Sequence, residues 1–423
     1  MLSAILFIFY FIILLLALTA VIKRKKINIS FRSLTLIYAY KVLLGCAYGY
    51  IFFKFYKGDD TWMNHFDSLV QYQKLIHHPV DFAKDFLPYS AFSASNNFWQ
   101  GIQYYIWDLE FYSTTKLLSF FNIFSRGNYY INVLFFDSIT IIGLLLLYKL
   151  IEKKISNKKI LIVVLFFMPL TTFWLSGIRT EGLILLLLSA TIYYSNKWFN
   201  EQKKPAYFLI ALIGLIGCII LRAQMLFVFM PAFFSLTLSW KKPEKGVYYF
   251  GAIYAACIII FFSGIFISPE NNLSMPVIKR QQEFFRLHGN TSYKLDSLRP
   301  SVTSFAKVLP QAFSNTFLRP FVWEAKGALQ IFTAIDIIMF WLLLLIAVFY
   351  RKKNWREILN QPLFLFFVFY GVSQIVFIGY IVPFPGAIVR YKSIAELFLL
   401  LSLTFISDYN RLSGLFQKND LLK

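Results

Sequence analysis

Two adjacent carboxylates, in Lys57-Gly58-Asp59-Asp60-Thr61-Trp62, are the residues best suited to chemistry in this chain. Neighbouring carboxylates repel, which raises the proton affinity of one and suits it to take a proton from a hydroxyl. Such a pair could also hold a divalent cation, Mg or Mn, through its oxygens. An Asp-Asp pair after a helix is often only an exposed turn. Here it directly follows a long apolar segment and precedes Trp62, a residue type that marks membrane interfaces. Cations with related placements accompany it. Arg179 and Glu181 lie in Phe173-Trp174-Leu175-Ser176-Gly177-Ile178-Arg179-Thr180-Glu181, and Arg222 lies between two apolar segments. Arg390 and Lys392 open the last apolar segment in Gly386-Ala387-Ile388-Val389-Arg390-Tyr391-Lys392. A polar stretch adds Arg280, with Lys279, Arg286, Arg299 and Arg319. Ionisable groups within or at the ends of membrane spans are costly, so they are functional candidates, and Arg and Lys suit a phosphate. The plainer readings are that Arg179 and Glu181 pair with each other and that Lys392 snorkels to headgroups. Lys392 also points to a different helix face from Arg390.

Other chemistries find little support. His65, His77, His78 and His288 lie outside the apolar segments and lack the spacing of a helical zinc site. There is no nucleophile elbow, phosphate-binding glycine loop or dinucleotide fingerprint. Cys46, Cys218 and Cys257 all sit in apolar segments and read as small buried residues.

The elements that must position these groups are membrane helices. The 423 residues are 58% hydrophobic, 20% aromatic and only 15% charged, against about 25% charged in a soluble protein. A span needs about 20 apolar residues. On that measure the chain is an all-α polytopic membrane protein of about eleven helices, near residues 2–22, 34–53, 131–150, 160–176, 182–194, 207–221, 225–238, 247–267, 329–349, 363–382 and 387–406. The first is read as a retained helix, because its basic run follows it and no small-residue cleavage site appears. The net charge of +21 is concentrated in short basic runs between spans. That is a positive-inside pattern, with anionic lipid headgroups as the partner and no nucleic acid. Runs 23–26, 153–159, 197–204, 241–245, 351–356 and the tail 407–423 are all cytoplasmic if the N-terminus is outside and the C-terminus inside. Two long loops, about 55–130 and 268–328, are then outer. The first is expected to carry interfacial helices, from the spacing of Leu69, Tyr72, Leu75 and Ile76 and from the run 111–124. No internal repeat or linker divides residues 1–423, so one membrane domain is expected. No acidic residue is assigned to the middle of a span, which counts against a transporter.

An acidic pair in the first outer loop, directly after an early helix, resembles the GT-C class of integral-membrane glycosyltransferases. The phrases 169–181 and 385–392 are similar to segments of bacterial polysaccharide-locus membrane proteins. The resemblance implies an enzyme of the bacterial inner membrane that moves a sugar from a polyprenyl-phosphate-linked donor to a glycan or lipid acceptor. It makes Asp59 or Asp60 the base. Arg390, Arg222 and Arg179 are expected on the phosphate, with Lys392 and Arg280 as further candidates, and Glu181 would orient Arg179 or a sugar hydroxyl. The class usually begins with a cytoplasmic N-terminus, unlike the topology read here. The Arg-rich second loop also resembles O-antigen-polymerase-like or ligase-like proteins, which need no acidic pair. A flippase or transporter of lipid-linked glycans is the third expectation.

Overall fold

The computed structural model describes residues 2–155, 157–268, 272–287, 289, 291–409 and 411. His288 and nearly all of the expected cytoplasmic tail lie outside them. The described residues are helical almost throughout, with one isolated β-bridge, Arg351 to Ser407, and no strand. The chain forms two compact units.

The first unit comprises Met1–Ile151, Phe166–Trp198 and Gln202–Leu226. Its long helices are α1 (Leu2–Lys25), α2 (Phe31–Tyr56), α3 (Asp60–His77), α4 (Phe98–Ser125), α5 (Tyr129–Ile151), α6 (Thr180–Asn200) and α7 (Pro205–Arg222). Ser30 starts α2 by accepting a hydrogen bond from the Ser33 amide. Lys57 and Gly58 end it, with φ of 56° and 96°, and the Gly58 amide returns to the Phe52 carbonyl at 2.9 Å. This left-handed stop turns the chain sharply, so Asp59 and Asp60 sit at the junction of α2 and α3.

The two ends of this unit differ in charge. At one end Lys25 donates to the Tyr194 hydroxyl, Lys149 to the Lys26 carbonyl and Tyr148 to the Asn28 carbonyl. That joins the end of α1, the start of α2 and the ends of α5 and α6, and Tyr194 brings the start of α7 there through Tyr207. At the other end Thr61 bonds Tyr129, with 2.7 Å between hydroxyls, and the Trp62 and Tyr129 rings stack at 4.0 Å. Helices α2 and α5 therefore run from a lysine-rich end to the Asp59–Asp60 junction.

The second unit comprises Glu152–Leu165, Phe199–Glu201 and Phe227–Lys423. It holds α8 (Leu226–Lys241), α9 (Gly246–Ile267), α10 (Met275–Arg286), α11 (Val302–Phe313), α12 (Ala328–Phe349), α13 (Pro362–Ile381) and α14 (Pro385–Ile406). Its core packs Val277, Phe284, Phe305 and Val308 against Ile378 and Ile388.

Among the described residues, seven helical stretches are long and apolar enough to cross a membrane: α1, α2, α5, 205–241, α9, α12 and α13. Only 6% of the most apolar window of α9 is buried within the protein. The expected span 160–176 is not one helix. It divides into Lys158–Ile162, a π turn Val163–Phe167 and Pro169–Trp174. Pro169 lacks an amide hydrogen and holds Met168 extended, at φ −66° and ψ 114°. The first long loop is itself helical, and α3 and α4 contain the two amphipathic runs expected there. The expectation of no mid-span acid fails: Asp137 lies in α5, Asp336 in α12 and Glu396 in α14, all buried.

Candidate functional site

Asp59 occupies the N-cap position of α3 yet makes no side-chain capping bond. A capping aspartate contributes about 1 kcal/mol to a helix, which is forgone here. Its Oδ2 instead accepts from Arg179 Nη1 at 2.5 Å and from the Tyr48 hydroxyl at 2.9 Å. Arg179 also lies 3.5 Å from Asp60 Oδ2 and 3.5 Å from Glu181 Oε2. Glu181 in turn meets Arg222 Nη2 at 3.6 Å. Five of the expected site residues thus form one cluster, all within the first unit.

Exposure separates their roles. The Arg179 and Glu181 side chains are 2% and 3% exposed, whereas Asp60 is 57% and Arg222 22%. Arg179 is a buried hub that fixes the carboxylates. Asp60 and Arg222 form the rim that a substrate can reach. A carboxylate on such a rim can take a proton, and a guanidinium can hold an anion. Asp59 is the less accessible of the pair, because its Oδ2 is already bonded by a cation and a phenol.

The hub is seated by an ion pair in the helices below it. Lys41 in α2 lies 3.3 Å from Asp137 Oδ1 in α5, with side chains 3% and 0% exposed. Lys41 also donates to the Leu175 carbonyl at 2.6 Å, and the Gly177 amide donates to Asp137 at 3.2 Å. The pair therefore grips the turn that leads into Arg179. Close approach makes this possible: Gly177 has φ 74°, and a Cβ on Gly45 would fall 2.8 Å from the Gly177 nitrogen and 2.5 Å from Asp137 Oδ2. Lys41, Asp137 and Tyr48 were missed from the sequence. The signal was present, since a Lys and an Asp each stand inside an apolar run.

On the other flank, His65 in α3 is buried against Trp62 and Tyr129, its Nδ1 3.4 Å from Asn132 Nδ2. Burial pushes its pKa down to about 4, against a weaker upward pull from a backbone bond at Gly127. Neutral His65 then presents Nδ1 as the acceptor for Asn132. Further along α3 and α4, Lys74 and Lys116 both reach Asp85, at 2.7 Å and 2.9 Å. Burial works to raise the Asp85 pKa, but the two lysines outweigh it and hold it below the usual carboxylate value. This pins the short connection between α3 and α4.

The remaining expected residues belong to the second unit. Arg280 pairs with Glu283 at 2.6 Å, Arg390 donates to its neighbour Tyr391 at 2.9 Å, and Lys392 is buried near Glu396 at 3.5 Å. A divalent cation at Asp59 and Asp60 does not fit the donor set. Arg179 contacts both carboxylates, so a dication would have to lie against a buried guanidinium. Among the described residues, no three His, Cys, Asp or Glu side chains are grouped to hold a metal. Comparison with protein families, curated proteins and solved structures finds no match to this chain.

Proposed function

We propose that this protein is a glycosyltransferase that moves a sugar from a lipid-phosphate-linked donor to an acceptor at the outer face of a bacterial cytoplasmic membrane. The observation that carries the reading is the exposed Asp60, held beside the buried Arg179 hub with Arg222 on the same rim. Asp60 takes the proton from an acceptor hydroxyl. The oxygen then bonds the anomeric carbon of the donor, and the bond from that carbon to the phosphate oxygen breaks. Arg222 faces the lipid phosphate that leaves with the electron pair, while Arg179, too enclosed to serve as a ligand, positions the carboxylates. The sidedness rests on the opposed ends of the first unit. The lysine-rich end suits the cytoplasm, so the acidic junction faces out, with the N-terminus outside; the basic runs of the sequence place the C-terminus inside.

The cluster carries three carboxylates and two guanidiniums, so a donor phosphate needs cations beyond Arg222. A transport reading gains one point from the buried acids of α5, α12 and α14, which pumps and transporters commonly carry. Mass spectrometry of protein purified in native lipid separates the two. Asp60→Asn should accumulate a bound lipid-phosphate sugar that the wild type turns over. Movement of a lipid-linked glycan by wild type and Asp60→Asn alike, with no new glycosidic bond, would replace the transferase with the transporter.

A further inference from the structure

The second unit contains a buried group of ionisable side chains that sugar transfer does not use. Asp336 in α12, with Lys392 and Glu396 one turn apart in α14, are 5%, 4% and 6% exposed. Lys392 Nζ lies 3.5 Å from Glu396 Oε2 and donates to the Thr316 carbonyl at 3.3 Å. Asp336 lies beside Glu396 where α12 packs on α14. Among the described residues, no amine, amide or hydroxyl donates to Asp336 Oδ2.

Two ionised carboxylates are acceptors only and cannot bond each other. Side by side in the interior, they can bond only if one of them carries a proton. Charge balance gives the same count. With one shared proton the group carries one ammonium and one carboxylate and is neutral. Without the proton it carries an uncompensated negative charge in an apolar interior, and with a second proton an uncompensated positive one. Both leave a buried charge without a counter-charge and are strongly disfavoured. The neighbouring elements offer no other compensation. Helix α13 and the turn 314–318 contain no carboxylate and no cation; their titratable groups are Tyr370 and Tyr380, beside the amides of Gln374 and Asn315. The other charges on the elements packed most closely on α14 and α12 are Arg390 in the first turns of α14, Lys158, Lys159, Arg356 and Glu357 on the short helices Lys158–Ile162 and Trp355–Leu359, and Glu324 on the turn Val322–Glu324, itself paired with Arg319 at 2.6 Å. A cavity of about 10 Å³ borders Lys392 and Glu396 and is otherwise lined by residues such as Thr316, Phe340 and Ile375. That is room for one water and not for a hydrated metal ion.

We propose that Asp336, Glu396 and Lys392 form an intramembrane proton-binding site in which the two carboxyls hold one exchangeable proton. The site lies outside the Asp59–Arg179 cluster and stands whether or not that cluster transfers sugar.

Infrared difference spectroscopy on the full chain in lipid nanodiscs reads the proton directly. At neutral pH the wild type should show the carbonyl stretch of a protonated carboxylic acid, shifted by exchange into heavy water. Asp336→Asn and Glu396→Gln, which keep shape and hydrogen bonding, should each remove that band. A hydrophobic carbodiimide supplies a check that needs no variant. It adds across its C=N bond only to a protonated carboxyl, so peptide mapping of labelled wild type should find the adduct on Asp336 or Glu396. A wild type with no band that either variant removes, or with adducts only on other residues, overturns the proposal. So does loss of the band on adding sodium or potassium at constant pH, since a cation would then be the ligand.

Discussion

Replacing Lys41 by Met tests how the hub is held. The Lys41 side chain is 3% exposed and has three partners: Asp137 at 3.3 Å, the Leu175 carbonyl at 2.6 Å and the Ser176 hydroxyl at 3.4 Å. Methionine keeps the length and the packing but leaves Asp137 fully buried with the Gly177 amide at 3.2 Å as its remaining donor. Removing one partner of a buried pair costs roughly 3–5 kcal/mol, because the other charge stays behind uncompensated. That is about two to four powers of ten in the unfolding constant. Asp137→Asn alone should cost less, since Lys41 keeps its bond to the Leu175 carbonyl. The double variant removes both charges and keeps an acceptor for the Gly177 amide. It should recover at least ~2 kcal/mol of the summed losses, as coupled neighbours do. Unfolding in mixed micelles of graded denaturing detergent measures all four proteins. Strict additivity of the two single losses, or a Lys41→Met loss under ~1 kcal/mol, would refute the claim that this pair anchors the turn into Arg179.

Three further outcomes follow from the same geometry. His65 has a folded pKa of about 4 against 6.5 for the free residue, so the unfolded chain binds the extra proton. Stability should be full above 6.5 and fall by about 3 kcal/mol as pH drops from there towards 4, and His65→Asn should flatten that slope in thermal unfolding. Gly45→Ala places a methyl 2.5 Å from Asp137 Oδ2 and 2.8 Å from the Gly177 nitrogen, so it should lower stability by ~1–3 kcal/mol in the same detergent titration. Arg222→Gln removes the partly exposed cation of the rim and its ion pair with Glu181, so transfer measured as kcat/KM on a lipid-linked donor should drop about tenfold to a hundredfold.

Much of the first unit could be read from residue patterns. The apolar runs gave α1, α2 and α5, and the spacing of Leu69, Tyr72, Leu75 and Ile76 gave α3, because period and span length are local properties of the chain. The pairing of Arg179 with Glu181 was legible for the same reason, being two residues apart. The contact of Arg179 with Asp59, 120 residues away, was not, since nothing local specifies it. Lys41 and Asp137 were passed over because charges were weighed at span ends, where water is close, and not inside spans, where a partner on another helix can neutralise them. The break in the span 160–176 was signalled by Pro169, but hydropathy averaged over the window hid it. Arg280, Arg390 and Lys392 were grouped with the acidic pair on sidedness alone, which cannot distinguish one unit from another.

The most direct test of the transferase account is a profile of lipid-linked and surface glycans in cells lacking the gene, re-expressing either wild type or Asp60→Asn, with both proteins verified in the membrane. The account predicts an intermediate short of one sugar that wild type completes and Asp60→Asn does not. Complete single units accumulating while long chains vanish, with full rescue by Asp60→Asn, would contradict it and make the protein a polymerase whose acidic pair is an ordinary turn.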